Sequence, residues 1–351
     1  GLAASGLAAR DDYATAAAGY AAGSAAGLAL ILWRVEPDGI LAVAWGMTLN
    51  AGVSLAVPLA GLALRSLRER MPLGAARPSG TPPLARLRLF AGAAVLTLCL
   101  QALYVACLPF AARLGAGDVT SFAYAYLGAS AVVAVTTSSI GLVSAVPLAR
   151  AGMGAEAAAR HVVASAWIAL TVVGGTAAAF ALAGGSAVPA VLGGAYGDEV
   201  GSEIGRLVVA LSPWMVASVG VTAAFPLVFV AGRSRLLAPL GIGALVLHVP
   251  AAWLAWAGLG LTGLALALAL STLLLLAALL RALGALGPAL RGLAAAAATL
   301  AALTVAAFAP AALVLPEDTA VLVGGIAYAA LVAALRPRGL RAAWGYLRAL
   351  G

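Results

Sequence analysis

A cluster of hydroxyl side chains lies in the middle of a long apolar stretch, residues 117–152. This stretch carries Asp118 near its start and Arg150 near its end, with no charged residue between them. Hydroxyls in a membrane helix can line a hydrated cavity, but they also bond to the backbone carbonyl four residues earlier or join neighbouring helices. We predict cavity lining, with structural bonding as the alternative, for Thr136, Thr137, Ser138 and Ser139.

His248 is the one residue with an ordinary pKa near neutrality that lies deep in a predicted membrane span, two residues before Pro250. An imidazole can take up and release a proton near neutral pH. Proton coupling is therefore one hypothesis for His248. The alternative is a neutral ring that bonds to a backbone carbonyl left free by the proline.

Two amides and three tyrosines also fall inside or beside predicted spans. An amide at membrane depth is costly unless it is paired, so Asn50 and Gln101 are candidates for a cavity or for helix–helix bonding. Tyr104, Tyr124 and Tyr126 are candidates for a sugar-binding surface. The last two also fit the aromatic belt at the outer membrane interface.

Small and imino residues inside the spans predict places where helices bend. Proline removes a backbone donor, and most sharp kinks occur at proline or glycine. The hinge candidates are Gly128, Gly141, Pro147, Pro213, Pro226 and Pro250.

The missing residue types exclude several kinds of chemistry. The chain has no lysine, so it has no GxxxxGK[ST] phosphate loop and is not itself an ATPase. Its two histidines and two cysteines are too scattered for a zinc site, and no carboxylate lies inside a predicted span. We therefore expect transport and not catalysis, with no metal and no cofactor.

The elements that position these residues follow from composition. Of the 351 residues, 64% are hydrophobic and 9% are charged, whereas soluble domains carry about 25% charged residues. Uncharged runs of about 20 residues, each able to cross a bilayer core of about 30 Å, recur along the chain. The predicted fold is an all-α polytopic membrane protein with ten spans, at 13–33, 39–64, 88–112, 119–148, 161–185, 205–231, 236–257, 260–280, 292–315 and 319–335.

Arginine placement predicts the orientation. With these spans, seventeen of the twenty arginines fall in one set of alternate loops, and only Arg34, Arg113 and Arg206 fall in the other. Because basic loops stay in the cytoplasm, both ends of the chain are expected there. The three exceptions lie beside acidic residues, and we expect them to pair with Asp38, Asp118 or Glu203.

The spans group into parts. Residues 1–66 hold two spans, and residues 67–87 form a linker rich in arginine, proline and glycine. Six spans follow in residues 88–284, and two trailing spans lie in residues 285–336. The tail, residues 337–351, has leucine and tryptophan on one helical face and arginine on another, so we expect it to lie flat in the cytoplasmic interface.

A family resemblance runs through residues 114–152, which read LGAGDVTSFAYAYLGASAVVAVTTSSIGLVSAVPLARAG. This segment resembles the seventh and eighth helices of MOP-superfamily exporters, especially the MurJ (MviN) lipid II flippases and related polysaccharide flippases. Phe122, Ala123 and Tyr124 match the family's YAYR-like helix start, and Pro147 and Arg150 match its Pro-x-x-Ser/Arg end. Residues 231–235 are similar to the family's short cytoplasmic turn.

The resemblance implies a two-lobe bundle whose lobes are related by an axis along the membrane normal, with a central cavity. Residues 1–66 would be the last two helices of an incomplete first lobe, preceded by about four absent helices, and residues 88–284 would be the second lobe. One feature departs from the family. Where those flippases carry a cationic residue after the YAY-like start, this sequence has Ala125 and Tyr126.

The implied function is to flip a lipid-linked saccharide, such as lipid II or a polysaccharide precursor, across the bacterial cytoplasmic membrane. The implied mechanism is alternating access driven by an ion gradient or the membrane potential. Its partners would be the lipid-linked substrate, membrane lipids and envelope-synthesis proteins, and not nucleic acid. The alternatives are a MATE-type small-molecule antiporter and a non-transporting scaffold of envelope synthesis.

Overall fold

The computed structural model describes residue 7 and residues 12–38, 40–68, 83–115, 117–151, 154–192 and 198–348, without the side chains of 83–93, 138–151, 189–192 and several single residues elsewhere. In this part of the chain the long elements are all helices. Within these described ranges, eight helical stretches are long and apolar enough to cross a bilayer. The predicted all-α, multi-pass membrane class is therefore confirmed.

The helices are α1 (Tyr13–Asp38), α2 (Ile40–Arg68), α3 (Pro83–Ala111), α4 (Asp118–Ala151), α5 (Ala155–Leu192), α6 (Asp198–Ala210), α7 (Ser212–Val230), α8 (Leu237–Ala282), α9 (Leu286–Val314), α10 (Glu317–Leu335) and α11 (Arg338–Arg348). By their internal contacts they form two compact units, residues 1–83 and 84–351. The division falls within residues 67–87, the range predicted to be a linker.

In the first unit, α1 approaches α2 closely because it presents a glycine at every fourth position, Gly19, Gly23 and Gly27. A Cβ atom at Gly27 would lie 2.6 Å from the carbonyl oxygen of Gly46, and one at Gly23 would collide with Ser54 Oγ. Small residues of this kind let membrane helices pack backbone to backbone, where no hydrophobic force brings helices together in lipid.

In the second unit, α5 is the central helix and contacts α4, α6, α7, α9, α10 and α11. It leaves helical geometry at Ala183, where φ is −119° and ψ is 22°. Just beyond this kink, a Cβ atom at Gly184 would lie 2.8 Å from the Cα of Gly205 on α6. Glycine on both helices is what lets their backbones touch.

The predicted span 205–231 is split in the structure into α6 and α7, which meet at Leu211. The cause is Pro213, which lies in the first turn of α7. A proline has no N–H for the bond to the carbonyl four residues earlier, and its ring clashes with that carbonyl. The helix therefore stops and restarts, a break that the single predicted span did not include, although Pro213 was named as a hinge candidate.

Helix α8 folds back on itself at Gly260, so its 46 residues form two antiparallel arms, residues 237–259 and 261–282. Gly260 has a φ of 59° and a ψ of −135°, a conformation that essentially only glycine adopts. His248 and Ser271, twelve and eleven residues from this turn, lie within hydrogen-bond distance of each other. The sequence-based break between spans 236–257 and 260–280 is thus confirmed.

The outer surface of the second unit carries many exposed apolar side chains. Leu313 is 87% exposed, Ile326 is 71% exposed and Leu98 is 67% exposed. Such a surface is suited to lipid, because soluble proteins rarely expose large continuous apolar patches.

Charges separate to the two ends of the second unit. Helices α5, α8, α9 and α11 begin at one end, which we call the arginine-rich end. Helices α4, α6 and α10 begin at the other, where α8 also turns, and we call it the acidic end. Assignment of the arginine-rich end to the cytoplasm stays a prediction.

Candidate functional site

A buried polar network at membrane depth centres on His248, in the first arm of α8. Its Nδ1 lies 2.9 Å from Ser271 Oγ in the second arm, and its Nε2 lies 3.4 Å from Cys107 Sγ on α3. The three residues are 3% exposed or less. The network joins α3 and both arms of α8 and is closed to the surface of the unit.

The direction of these bonds follows from the Ser271 hydroxyl. It donates to the backbone carbonyl of Ala267, so its oxygen accepts from His248, and Nδ1 carries the hydrogen. In the neutral ring Nε2 is then an acceptor, and the Cys107 thiol lies 3.4 Å from it and 3.5 Å from the Leu103 carbonyl oxygen. The single thiol hydrogen is shared between these two acceptors. Each polar side-chain atom of the network has a partner, as a structural role requires.

Aromatic rings of α3, α4 and α7 stack one turn away from Cys107. The rings of Tyr104 and Tyr126 are nearly parallel, with centroids 3.9 Å apart, and Trp214 lies 4.8 Å from Tyr126. Tyr104 and Tyr126 are half-buried. The structure thus brings together two of the three tyrosines that the sequence singled out, and adds a tryptophan that it did not.

Gln101 and Thr97 extend this aromatic group along α3. Residues 97, 101 and 104 share one helical face because they are spaced four and three apart. We call Thr97, Gln101, Tyr104 and Tyr126 the polar face. Thr97 and Gln101 are exposed on the surface of the unit.

Gln101 lies at mid-membrane depth. It is ten residues, or about 15 Å, from the last residue of α3, which is half of the bilayer core. Its amide has no hydrogen-bond partner among the described residues. Moving such a group into hydrocarbon costs about 4 kcal/mol or more, so this position favours contact with water or a polar ligand.

Two hydroxyls of the predicted cluster have described side chains, and both donate to backbone carbonyls of their own helix. Thr136 donates to the carbonyl of Val132, and Thr137 donates to that of Val133, at 2.9 Å. This geometry matches the structural alternative. Ser138, Ser139, Gly141 and Pro147 lie in α4, but their side-chain surroundings are outside the described part of the structure.

The other candidates are spread through the fold. Asn50 lies at the α1–α2 contact beside Gly23 and Gly27. Its Oδ1 accepts from Ser54 of the same helix at 3.1 Å, so this bond does not join two helices. Tyr124, on α4, packs against the hydrophobic core. A Cβ atom at Gly128 would meet open space. Pro226 and Pro250 lie inside α7 and α8.

The three arginines on the predicted outer side differ in their partners. Arg34 forms the expected pair with Asp38, with Nε 2.7 Å from the carboxylate. Arg113 does not pair with Asp118 and lies 6.0 Å from the ring centroids of Phe110 and Trp256, which is cation–π geometry. Arg206 forms no salt bridge within the described residues.

Open pockets lie at both ends of the second unit. At the acidic end, cavities of about 630 and 400 Å³ share Glu203 and Arg206 on their walls. At the arginine-rich end, a cavity of about 450 Å³ lies between the starts of α5, α9 and α11. Its wall includes Tyr346, whose pKa is raised by burial and partly lowered again by the Arg160 guanidinium, so the phenol stays a protonated donor at neutral pH.

Sequence reasoning missed Cys107, Trp214 and the pocket at the arginine-rich end. Cys107 and His248 are separated by 141 residues, and no local pattern signals such a pair. Within the described residues no three His, Cys, Asp or Glu side chains group as a metal site. Comparison of the chain with protein-family models and with curated protein sequences gives no match.

Proposed function

We propose that the chain belongs to a membrane transporter that moves a lipid-linked saccharide across the bilayer by alternating access, driven by an ion gradient or the membrane potential. The proposal includes membership of the MOP superfamily, in its MurJ-like branch, and the two-lobe arrangement that this implies. The observation that carries the proposal is the polar face, in which exposed Thr97 and Gln101 lie beside half-buried Tyr104 and Tyr126 at a depth where an exposed amide is costly in lipid.

The residues of the polar face suit a saccharide. Tyr104 and Tyr126 are half-buried and stack on each other, so it is their phenol groups that we propose as hydrogen-bonding partners for a sugar. The Gln101 amide has two donors and an acceptor for sugar hydroxyls. Gln101, Tyr104 and Tyr126 are uncharged side chains, so the headgroup contacts proposed for them are neutral hydrogen bonds.

The test is a flipping assay with the full-length protein in vesicles that contain a fluorescent lipid-linked oligosaccharide. Substrate movement is read as the fraction that becomes accessible to an impermeant quencher. Transport above empty vesicles is expected, and Gln101→Leu should slow it by about tenfold, the loss of one to two hydrogen bonds. Ile326→Ala, at an exposed apolar position in the middle of α10, is the matched control away from the polar face and should leave the rate unchanged.

Two results would overturn the proposal. Equal movement in empty vesicles and protein-containing vesicles favours the scaffold alternative. Ion-coupled uptake of a small cation without movement of the lipid-linked substrate favours the MATE-type antiporter.

A further inference from the structure

The pocket at the arginine-rich end joins positive charge to an apolar wall. Arg160 on α5 and Arg291 on α9 line it, together with a single carboxylate, Glu156. Both arginines are exposed, and neither forms a salt bridge within the described part of the chain. The pocket therefore carries a net positive charge that the described residues do not neutralise.

The wall of the pocket is apolar and firmly built. Trp167 and Ala343 line it and are 6% and 2% exposed. Helix α11 packs so tightly on α5 that a Cβ atom at Gly339 would collide with the Trp167 ring. The arrangement depends on close backbone contact, and the pocket is thus held open by packed helices and not by a loop.

The mouth of the pocket lies beside surface that is suited to lipid. Leu290 precedes Arg291 on α9 and is 54% exposed, and Trp344 follows Ala343 on α11 and is 57% exposed. A tryptophan in this setting is typical of the membrane interface. Positive charge, apolar wall and interfacial position occur together in this pocket.

We propose that this pocket binds the phosphate of an anionic phospholipid of the surrounding bilayer. Arg160 and Arg291 hold the phosphate oxygens as charge-assisted donors, Tyr346 adds a neutral donor, and the acyl chains leave past Leu290 and Trp344. Basic pockets between membrane helices bind anionic headgroups by the same physics. This site is separate from the polar face, and the proposal does not depend on transport.

The test compares lipids of identical acyl chains on the purified full-length protein, with affinity measured by native mass spectrometry and by lipid-dependent thermal stabilisation. Phosphatidylglycerol should bind about thirtyfold tighter than phosphatidylcholine, the effect of two arginines near an anionic headgroup. Its affinity should fall as salt is added, because exposed charges are screened. Inorganic phosphate should neither stabilise the protein nor displace the lipid.

The variant arm uses Arg160→Gln with Arg291→Gln, which should bring the affinity for phosphatidylglycerol down to that for phosphatidylcholine. Arg235→Gln with Arg281→Gln is the matched control at the same end, outside the pocket, and should change nothing. Equal binding of the two lipids by the wild type, or protection by inorganic phosphate alone, would overturn the proposal. The comparison of the two lipids and of inorganic phosphate on the wild-type protein tests the proposal even if the pocket variant does not fold.

Discussion

His248 and Gln101 are polar side chains within the apolar helices, and the structure treats them in opposite ways. His248 is fully buried and bonded to Ser271 and Cys107. Gln101 is exposed on α3 and has no bonding partner among the described residues. Both positions cost free energy in lipid, but only the first is compensated inside the protein.

This difference separates polar groups that hold the bundle together from those that are open to a ligand. The same division applies elsewhere in the fold, where Thr136 and Thr137 bond to their own helix while Tyr104 and Tyr126 remain half-buried. Residue type and depth alone do not predict the role of a membrane polar residue. The number of hydrogen bonds that the residue makes inside the protein separates the two roles.

The largest expected effect comes from removing the buried ring. His248→Ala should lower the free energy of unfolding by about 2–4 kcal/mol, because it leaves a cavity and two partners with weaker bonding. Gln101→Ala should change it by less than about 0.5 kcal/mol, as at other surface positions. Thermal unfolding of both variants in detergent measures the two losses of stability. Equal losses would contradict the contrast between His248 and Gln101.

A second prediction concerns the two arms of α8, which hold His248 against Ser271. Gly263→Ala places a methyl group against the carbonyl oxygen of Ala255 in the opposite arm, which should destabilise the protein by about 1–3 kcal/mol. In a Cys99→Ala background, the Cys107 thiol should also become more reactive to a maleimide. Gly243→Ala is the control, since a Cβ atom there meets open space, and reactivity that rises equally in both variants would contradict the account.

A third prediction concerns an ion pair outside the membrane. Asp12 caps α1 by accepting from the Thr15 N–H at 3.1 Å and pairs with Arg65 at 2.8 Å. The Thr15 hydrogen bonds, with a contribution from Arg65, lower the pKa of Asp12 in the fold. Its charge therefore adds stability that is present above about pH 4, the unfolded pKa, and is lost as pH falls through the lower folded pKa.

Comparison with Asp12→Asn measures this contribution, because asparagine still caps a helix. The wild type should be more stable by about 1 kcal/mol at pH 7, and the difference should shrink as the pH drops below about 4. A difference in melting temperature that is constant from pH 7 to pH 3 would be the contrary result.

The smallest effect tests a single bond of the network. Ser271→Ala removes the acceptor of the His248 Nδ1 hydrogen, and should cost about 0.6 kcal/mol, the mean for hydrogen bonds between membrane helices. A double-mutant cycle with His248→Ala isolates the pair. Coupling indistinguishable from zero would mean that the two residues do not depend on each other.

The sequence predicted the fold class and the turn in α8 because both depend on local signals. Long apolar runs define helices that cross a bilayer, and Gly260 lies between two such runs. The break at Leu211 within span 205–231 was missed, although Pro213 was named as a hinge. A proline in an apolar run does not by itself say whether the helix bends or stops.

The candidate site was predicted only in part, because its partners are distant in sequence. Tyr104, Tyr126 and Gln101 were named as candidates from their type and position, and the structure places them on one face. The partners of His248 come from α3 and from the second arm of α8, which no sequence spacing indicates. In the sequence, Arg160 and Arg291 do not differ from the other loop arginines. The fold brings them together around one pocket.

The central claim is that the polar face meets water at membrane depth. The most direct measurement is the labelling rate of Gln101→Cys with an impermeant, water-soluble thiol reagent, in a Cys99→Ala, Cys107→Ser background. Ile326→Cys, at an exposed apolar position in the middle of α10, is the reference. We predict that Gln101→Cys reacts at least about tenfold faster, because the reactive thiolate forms only where water reaches it; equally slow labelling of both positions would contradict the account.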